Sequence, residues 1–294
     1  MKENNNSKLV MMLAMFIFGT IGLFVRYIPL PSAVIAMVRG FVGAIFLFAV
    51  VKIKKQSFDK SAIKANLIKL CISGVLLGFN WILLFEAYRY TTVATATLCY
   101  YLAPVIVILV SPLVLRESLT KIKLLCVFAA LVGMVFVSGV LDAGFSGGKE
   151  YTGILFGLGA ACVYAGIVIV NKKIHDISAY DMTIMQLAIA GIVLLPYVLL
   201  TQDLSGIVLS GKAIALLAVV AILHTGVAYA LYFGSMQKLR GQTVAILSYI
   251  DPIVAILLSA LILKEPLGVN GAIGAVLVLG ATFASEIIDS REKE

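Results

Sequence analysis

The sequence predicts an all-α polytopic membrane protein with ten transmembrane helices, arranged as two inverted repeats of five helices each. Three observations lead to this fold class: an apolar composition, ten long apolar runs, and a repeat at an offset of 148 residues. The 294 residues are 62% hydrophobic and 13% charged, whereas soluble domains carry roughly 25% charged residues. A soluble globular protein is therefore excluded.

Each apolar run is about twenty residues long, which is enough to cross the ~30 Å hydrocarbon core of a bilayer. The loops between the runs are short, so the sequence leaves no soluble domain. The ten predicted spans are 8–26, 33–51, 67–86, 91–115, 120–141, 152–171, 180–201, 212–234, 241–263 and 268–287.

The distribution of positive charge predicts the orientation of these spans. Alternating them places 17 of the 23 Lys and Arg residues on the side that holds both termini and five on the other, with Arg39 inside the second span. By the positive-inside rule, both termini are cytoplasmic in a multi-pass protein of the cell membrane. This asymmetry also accounts for the net charge of +8, so the lipid bilayer is an expected partner and nucleic acid is not.

A repeat divides the chain into two halves, residues 1–143 and 144–294. Between 95–119 and 243–267, ten of 25 aligned positions are identical, including polar and proline residues that apolar segments do not match by chance. The identical pairs are Thr95/Thr243, Tyr101/Tyr249, Pro104/Pro252, Ile108/Ile256, Leu109/Leu257, Ser111/Ser259, Leu113/Leu261, Leu115/Leu263, Glu117/Glu265 and Leu119/Leu267.

Five spans per repeat is an odd number, so the second copy enters the membrane from the opposite side. Exchanging the conformations of two inverted halves converts an outward-open state into an inward-open one, and substrate sites in such proteins lie near the midplane at the repeat interface. Pro104 and Pro252 lie near the centres of the fourth and ninth spans. Kinks there would free backbone carbonyls beside a water-filled cavity; the alternative is that both prolines only shape helix packing.

The repeated block carries a family resemblance. An apolar helix with a central proline, then "LRESL" or "LKEPL", then a glycine-containing helix resembles the EamA domain of the drug/metabolite transporter superfamily. Both copies match, over nearly the whole chain. The resemblance implies a ten-helix secondary transporter, and many similar proteins export amino acids or other small metabolites. It leaves the substrate open, because one fold serves many ligands.

Polar groups inside apolar spans are the candidate functional residues, because each is costly to insert. Arg39 lies in the outer third of the second span, and Glu86 lies near the outer end of the third, with Asn80 and Trp81 just below it. Arg39 and Glu86 could form a structural ion pair, or Glu86 could simply reach the interface. Alternatively, the two hold opposite ends of a zwitterionic substrate.

His224 and Asp251 lie at similar depth in the eighth and ninth spans. His224 is either a core histidine bonded to a carbonyl or a group that handles protons or ligand. Asp251, when protonated, could donate a hydrogen bond to a carbonyl freed by the kink and could release its proton when the cavity opens to water. It is a candidate for proton coupling, with His224 and Glu86 as further candidates, or else it braces the kink.

Aromatic and amide side chains complete the predicted site. They are Tyr100, Tyr101, Tyr229, Tyr249 and Gln186, the last aligning with Arg39 in the other repeat. With two acids and one Arg among the candidates, they favour a small zwitterion or an organic cation, since tyrosine rings attract cations. Glu117 and Glu265 are instead expected to complement the positive N-termini of the helices that follow them.

No enzyme motif accompanies these residues: the sequence has two histidines, no HExxH and no phosphate-binding GxxxxGK[ST]. A secondary transporter without cofactor or metal is therefore favoured over an enzyme or an ATP-driven pump, with a membrane channel or a non-transporting membrane protein or enzyme as the alternative. Small-residue faces such as Gly153 and Gly157 predict close helix packing, within a monomer or between the subunits of a homodimer.

Overall fold

Helices form all the regular secondary structure in the described part of the chain. The computed structural model describes residues 5–55, 57–114, 121–137, 148–205, 210–236, 239, 247–248, 250–265 and 267–291. Its helices are α1 (Asn5–Arg26), α2 (Ser32–Ile53), α3 (Lys60–Tyr90), α4 (Val93–Tyr100), α5 (Ala103–Val114), α6 (Lys121–Val137), α7 (Gly148–Asn171), α8 (Ala179–Thr201), α9 (Gly211–Ala218), the π-helix π1 (Val219–Val227), α10 (Ala228–Met236), α11 (Ile250–Leu261) and α12 (Gly268–Arg291).

These helices agree with the predicted spans. Seven helical stretches are long and apolar enough to cross a membrane, and they coincide with spans one to four and six to eight. Three shorter apolar stretches, Leu124–Phe136, Ile250–Leu261 and Gly268–Ala281, fall within spans five, nine and ten. The protein is an all-helical, multi-pass membrane protein, in which every backbone polar group of a span must be satisfied within the helix. The count of ten spans and their inversion stay predictions.

Side-chain caps fix where several helices begin. The Asp59 carboxylate accepts hydrogen bonds from the backbone N–H groups of Ser61 and Ala62, at 3.0 Å each, and so starts α3. Thr92 accepts from the N–H of Thr95 at 3.0 Å and starts α4. Such caps satisfy N–H groups that have no partner inside the helix. Thr92, two residues after the end of α3, therefore fixes the point at which α4 begins.

Two apolar clusters hold the bundle together. One joins α2, α3, α8 and π1 around fully buried side chains such as Phe85 and Leu187, and the other joins α4, α5, α6 and α12. Within the first cluster, α2 and α8 approach so closely that a Cβ atom on Gly40 would lie 2.8 Å from the backbone nitrogen of Gly191. Glycine is required for that approach, as is common where membrane helices pack.

Within the described residues, two predicted spans depart from a regular α-helix. The fourth is interrupted at Tyr101 and Leu102, shortly before Pro104, which has no N–H to bond the Tyr100 carbonyl. The eighth contains the nine-residue π-helix, a rare form that is frequent at functional sites. Pro252 of the ninth span lies in the first turn of α11, where a proline costs no helix hydrogen bond.

Candidate functional site

Arg39 reaches from α2 into the centre of the bundle. Its guanidinium lies 4.2 Å from the ring centroid of Trp81 and 5.2 Å from that of Phe85, both on α3. Its Nε donates a hydrogen bond of 2.8 Å to the hydroxyl of Thr225 in π1. The residue is only 4% exposed. An arginine can stack on aromatic rings in this way and still present its other N–H groups in a fixed plane.

No carboxylate forms an ion pair with Arg39 among the residues that the structure describes. Glu86 pairs instead with Arg89, at 3.2 Å, near the exposed end of α3. Trp81 and Phe85 occupy the face of α3 towards Arg39, and the next residue, Glu86, points about 100° away from it because of the helical turn. The predicted Arg39–Glu86 ion pair is therefore not formed. A buried cation without a counter-charge is costly, which makes Arg39 a candidate for binding an anionic group.

Asp251 lies in the first turn of α11 and is half-buried. The hydroxyl of Tyr101, directly after α4, donates a hydrogen bond of 3.4 Å to the backbone carbonyl of Ser248 and lies near the Asp251 carboxylate. Five tyrosine side chains lie in the surroundings of this carboxylate. They are Tyr88, Tyr100, Tyr101, Tyr164 and Tyr229, from α3, α4, α7 and α10.

Arg39 and Asp251 belong to one region of the bundle, since Tyr88, Tyr100 and Tyr229 interact electrostatically with both charges. Tyr100 and Tyr229 are half-buried although they lie within spans. Partly exposed polar side chains that surround two opposite charges are the type of lining that fits a small charged ligand.

His224 is fully buried in π1. Its Nε2 lies 2.8 Å from the Thr20 hydroxyl and its Nδ1 lies 3.3 Å from the Val219 carbonyl oxygen. The ring of Phe24 packs against it at 5.0 Å. A neutral imidazole that donates from Nδ1 and accepts at Nε2 satisfies both contacts. This environment is that of a core histidine that joins α1 to π1.

Asn80 and Gln186 hold helices together through buried hydrogen bonds. The Asn80 amide donates to the Ala160 carbonyl of α7 at 2.7 Å, and its oxygen accepts from Tyr100 at 3.4 Å. The Gln186 amide donates to Ser73 and to Asn171, at 2.8 Å each. Asn80 therefore supports the wall that carries Tyr100, whereas Gln186 belongs to a separate neutral cluster between α3, α7 and α8.

The structure adds residues that the sequence did not single out. Thr225 contacts Arg39, and Thr20 contacts His224. Tyr88 and Tyr164 join the tyrosines that lie around Asp251. Only Tyr164 carried a signal, as a tyrosine in the middle of an apolar span. Of the predicted site residues, Tyr249 lies outside the described part of the chain, and only the backbone of Pro104 is described.

Comparison with known proteins identifies the family. The model of the EamA-like transporter family matches residues 6–139 and, a second time, residues 151–285. The chain belongs to the EamA-like transporter family. This confirms the resemblance carried by the repeated proline block, and it makes the protein a membrane transporter by family.

Several relatives of this EamA-like protein are similar along most of their length. "Uncharacterized transporter YxxF" of Bacillus subtilis (strain 168) is 30% identical over 259 residues, which are 87% of this chain and 82% of that protein. "Protein PecM" of Dickeya dadantii (strain 3937) is 26% identical over 231 residues, 77% of this chain and 76% of its own. A solved structure described as "Crystal structure of protein" has a TM-score of 0.65 at 16% identity, covering 99% of this chain and 100% of that chain. The last similarity shows a shared fold.

Proposed function

We propose that this EamA-like protein is a secondary active transporter that moves a small zwitterion or organic cation across the cell membrane by alternating access. Transport is coupled to protons at Asp251 or proceeds by exchange. Both termini lie in the cytoplasm, in agreement with the bias of Lys and Arg.

One observation carries the substrate class: two opposite charges, neither ion-paired, share one group of tyrosines. Arg39 has no carboxylate partner and Asp251 has no cationic partner among the described residues. Two unpaired protein charges of opposite sign suit a zwitterion, because it brings one charge of each sign. Its carboxylate pairs with the guanidinium, and its ammonium pairs with Asp251 and stacks against tyrosine rings. An organic cation would use Asp251 and the tyrosines alone.

Two corresponding hydrogen bonds between the halves support alternating access by inverted repeats. Arg39 of the second span bonds Thr225 of the eighth, and Gln186 of the seventh bonds Ser73 of the third. Inversion relates span two to span seven and span eight to span three, so the predicted repeat relates the two bonds to each other. Only one of the two contacts carries a charge. The ligand site is accordingly asymmetric, with the anion-binding group in the first half.

The proposal is tested on purified protein reconstituted into proteoliposomes. Amino acids, quaternary amines, nucleosides and organic acids are first screened for a rise in melting temperature, which ligands of the folded state cause by mass action. Each hit is then tested for saturable exchange against the same compound on the opposite side. Exchange of an amine-bearing compound supports the proposal. Transport of a dianion with which no amine-bearing compound competes would overturn the proposed substrate class. Flux that neither saturates with substrate concentration nor shows exchange would overturn the proposal that the protein is a carrier.

A further inference from the structure

An ion pair joins distant parts of the chain at the end of the bundle opposite residue 5. Nη2 of Arg26, the last residue of α1, lies 3.1 Å from Oε1 of Glu265, four residues beyond the end of α11. The exposed fraction of the glutamate side chain is 12% and that of the arginine is 34%. The carboxylate is thus largely withdrawn from water, and an ion pair in such a place is stronger than one on an open surface.

Glu265 also binds the start of α4. Its Oε2 accepts a hydrogen bond of 3.0 Å from the backbone N–H of Val93 and one of 2.5 Å from the Ser259 hydroxyl. The Ser259 hydroxyl in turn accepts from the N–H of Ala94, at 3.3 Å. The sequence had predicted that Glu265 complements the N-terminus of its own following helix. In the structure it complements that of α4, in the other half, where the helix dipole also favours a negative charge.

Arg26 binds the end of α3 in the same cluster. Its Nη1 donates to the carbonyl oxygens of Tyr88 and of Thr91, the latter at 3.0 Å. Carbonyls at the end of a helix have no partner within that helix. Arg26 therefore satisfies groups that would otherwise be orphaned, and the Arg26–Glu265 pair ties together the ends of α1, α3 and α11 with the beginning of α4.

Two facing helices, α4 and α11, run between the ion pair and the candidate site. On α4, Val93, Thr97 and Tyr101 follow one another at intervals of four residues and share a face. On α11, Asp251 and Ser259 are eight residues apart, about 12 Å along the axis. Hydrogen bonds thus join the two chain segments near the site, from the Tyr101 hydroxyl to the Ser248 carbonyl just before α11, and again from the N–H of Ala94 to the Ser259 hydroxyl.

We propose that Arg26 and Glu265 form a latch that keeps this end of the transporter closed, and that the latch breaks when the site opens to this side. The inference rests on the proposed alternating access. The latch connects the ends of α1 and α3 and the start of α4 to the segment that follows α11, so separation of α4 from that segment must break the contacts of Glu265. In the closed state the latch satisfies a carboxylate, a helix N-terminus and a helix C-terminus together, whereas in the open state water hydrates each of them.

Cysteine labelling measures the opening. Thr97, buried between the latch and the site, is replaced by cysteine in a variant whose four native cysteines are removed. A membrane-impermeant maleimide is applied to intact cells and to inside-out vesicles, so that it reaches each end of the bundle separately. Glu265→Gln and Arg26→Gln should each raise the labelling rate from the latch end by roughly tenfold, as expected when a minor open state becomes common.

Lys264→Gln is the matched control. It removes a neighbouring exposed charge that contributes nothing to the latch, and it should leave the rate unchanged. Arg26→Lys keeps a positive charge that can pair with Glu265 and should raise the rate less than Arg26→Gln, an order that local misfolding would not give. Rates equal to the parent in both single variants overturn the latch. Exchange by the parent protein is measured in parallel; its absence overturns the proposed function, while the labelling rates still decide the latch.

Discussion

The Tyr101 hydroxyl donates a hydrogen bond of 3.4 Å to the backbone carbonyl of Ser248 and thereby links the end of α4 to the residues just before α11. The two residues come from opposite predicted repeats. Asp251 lies near this contact and is half-buried, so its carboxylate keeps a face towards the space between the helices. A carboxylate in that position can bind a cation or a proton, and movement of α4 relative to α11 changes its environment.

Asp251→Asn should abolish accumulation driven by a pH gradient and should weaken the binding of an ammonium-bearing substrate, while exchange at saturating substrate persists. The amide keeps the shape of the side chain, but it can neither pair with an ammonium nor release a proton. Accumulation and exchange are measured in the same proteoliposomes, with Tyr101→Phe as the companion variant, which keeps the carboxylate. Undiminished proton-driven accumulation by the Asn variant would reduce Asp251 to a structural brace.

The spans were predictable because a twenty-residue apolar run has few alternatives in a membrane. The interruption near Pro104 was predictable for a similarly local reason, since proline removes a hydrogen bond wherever it lies within a helix. The choice of Arg39 and Asp251 follows from a local rule as well, because a polar residue inside an apolar span is costly; their part in substrate binding stays a prediction.

Partners were not predictable from depth. Which face of α3 meets α2 decides that Arg39 stacks on Trp81 and Phe85 and does not meet Glu86. Apolar residues are spread over all sides of these helices, so the sequence does not indicate which side of a helix packs against its neighbour. The same holds for Glu265, which binds the N-terminus of α4 across the repeat interface.

Arg39→Gln should weaken the binding of a carboxylate-bearing substrate by roughly 10- to 100-fold, the worth of a charge-assisted hydrogen bond. Arg39→Lys should recover only part of this loss, because an ammonium lacks the planar fork that stacks on Trp81. Affinity is measured by competition, with the methyl ester of the substrate as the control ligand. If the ester competes as well as the free acid in the parent protein, Arg39 does not bind the carboxylate.

His224→Leu should destabilise the protein by about 2–4 kcal/mol, since it removes two buried hydrogen bonds and leaves their partners on Thr20 and Val219 without the imidazole. Thr20→Val removes one partner of the histidine, and the double variant should lose less than the sum of the two single losses, because the residues are in contact. Melting temperatures in detergent give the comparison. Proton-driven accumulation should persist in each variant that folds; its specific loss in His224→Leu would return His224 to the coupling mechanism.

Single cysteines test the orientation. Lys60→Cys, at the exposed start of α3, should label only in permeabilised cells, and Lys149→Cys, exposed at the start of α7, should label in intact cells. Labelling of position 60 from outside, with none at 149, would reverse the assignment of both termini to the cytoplasm.

A disulfide between α1 and α4 should arrest the transporter with its latch end closed. A Cβ atom on Gly22 would overlap Cγ1 of Val93, the position that a cysteine Sγ occupies, so Gly22→Cys with Val93→Cys brings two thiols within the geometry of a disulfide. Oxidation should stop exchange and should protect a cysteine at position 97 from maleimide at that end, and reduction should restore both. Val93→Cys alone under the same oxidant is the control, and it should continue to exchange, because Gly22→Cys alone would overlap the intact Val93 side chain. Full exchange by the oxidised double variant, with the disulfide verified by mass spectrometry, would mean that α1 and α4 do not separate during transport.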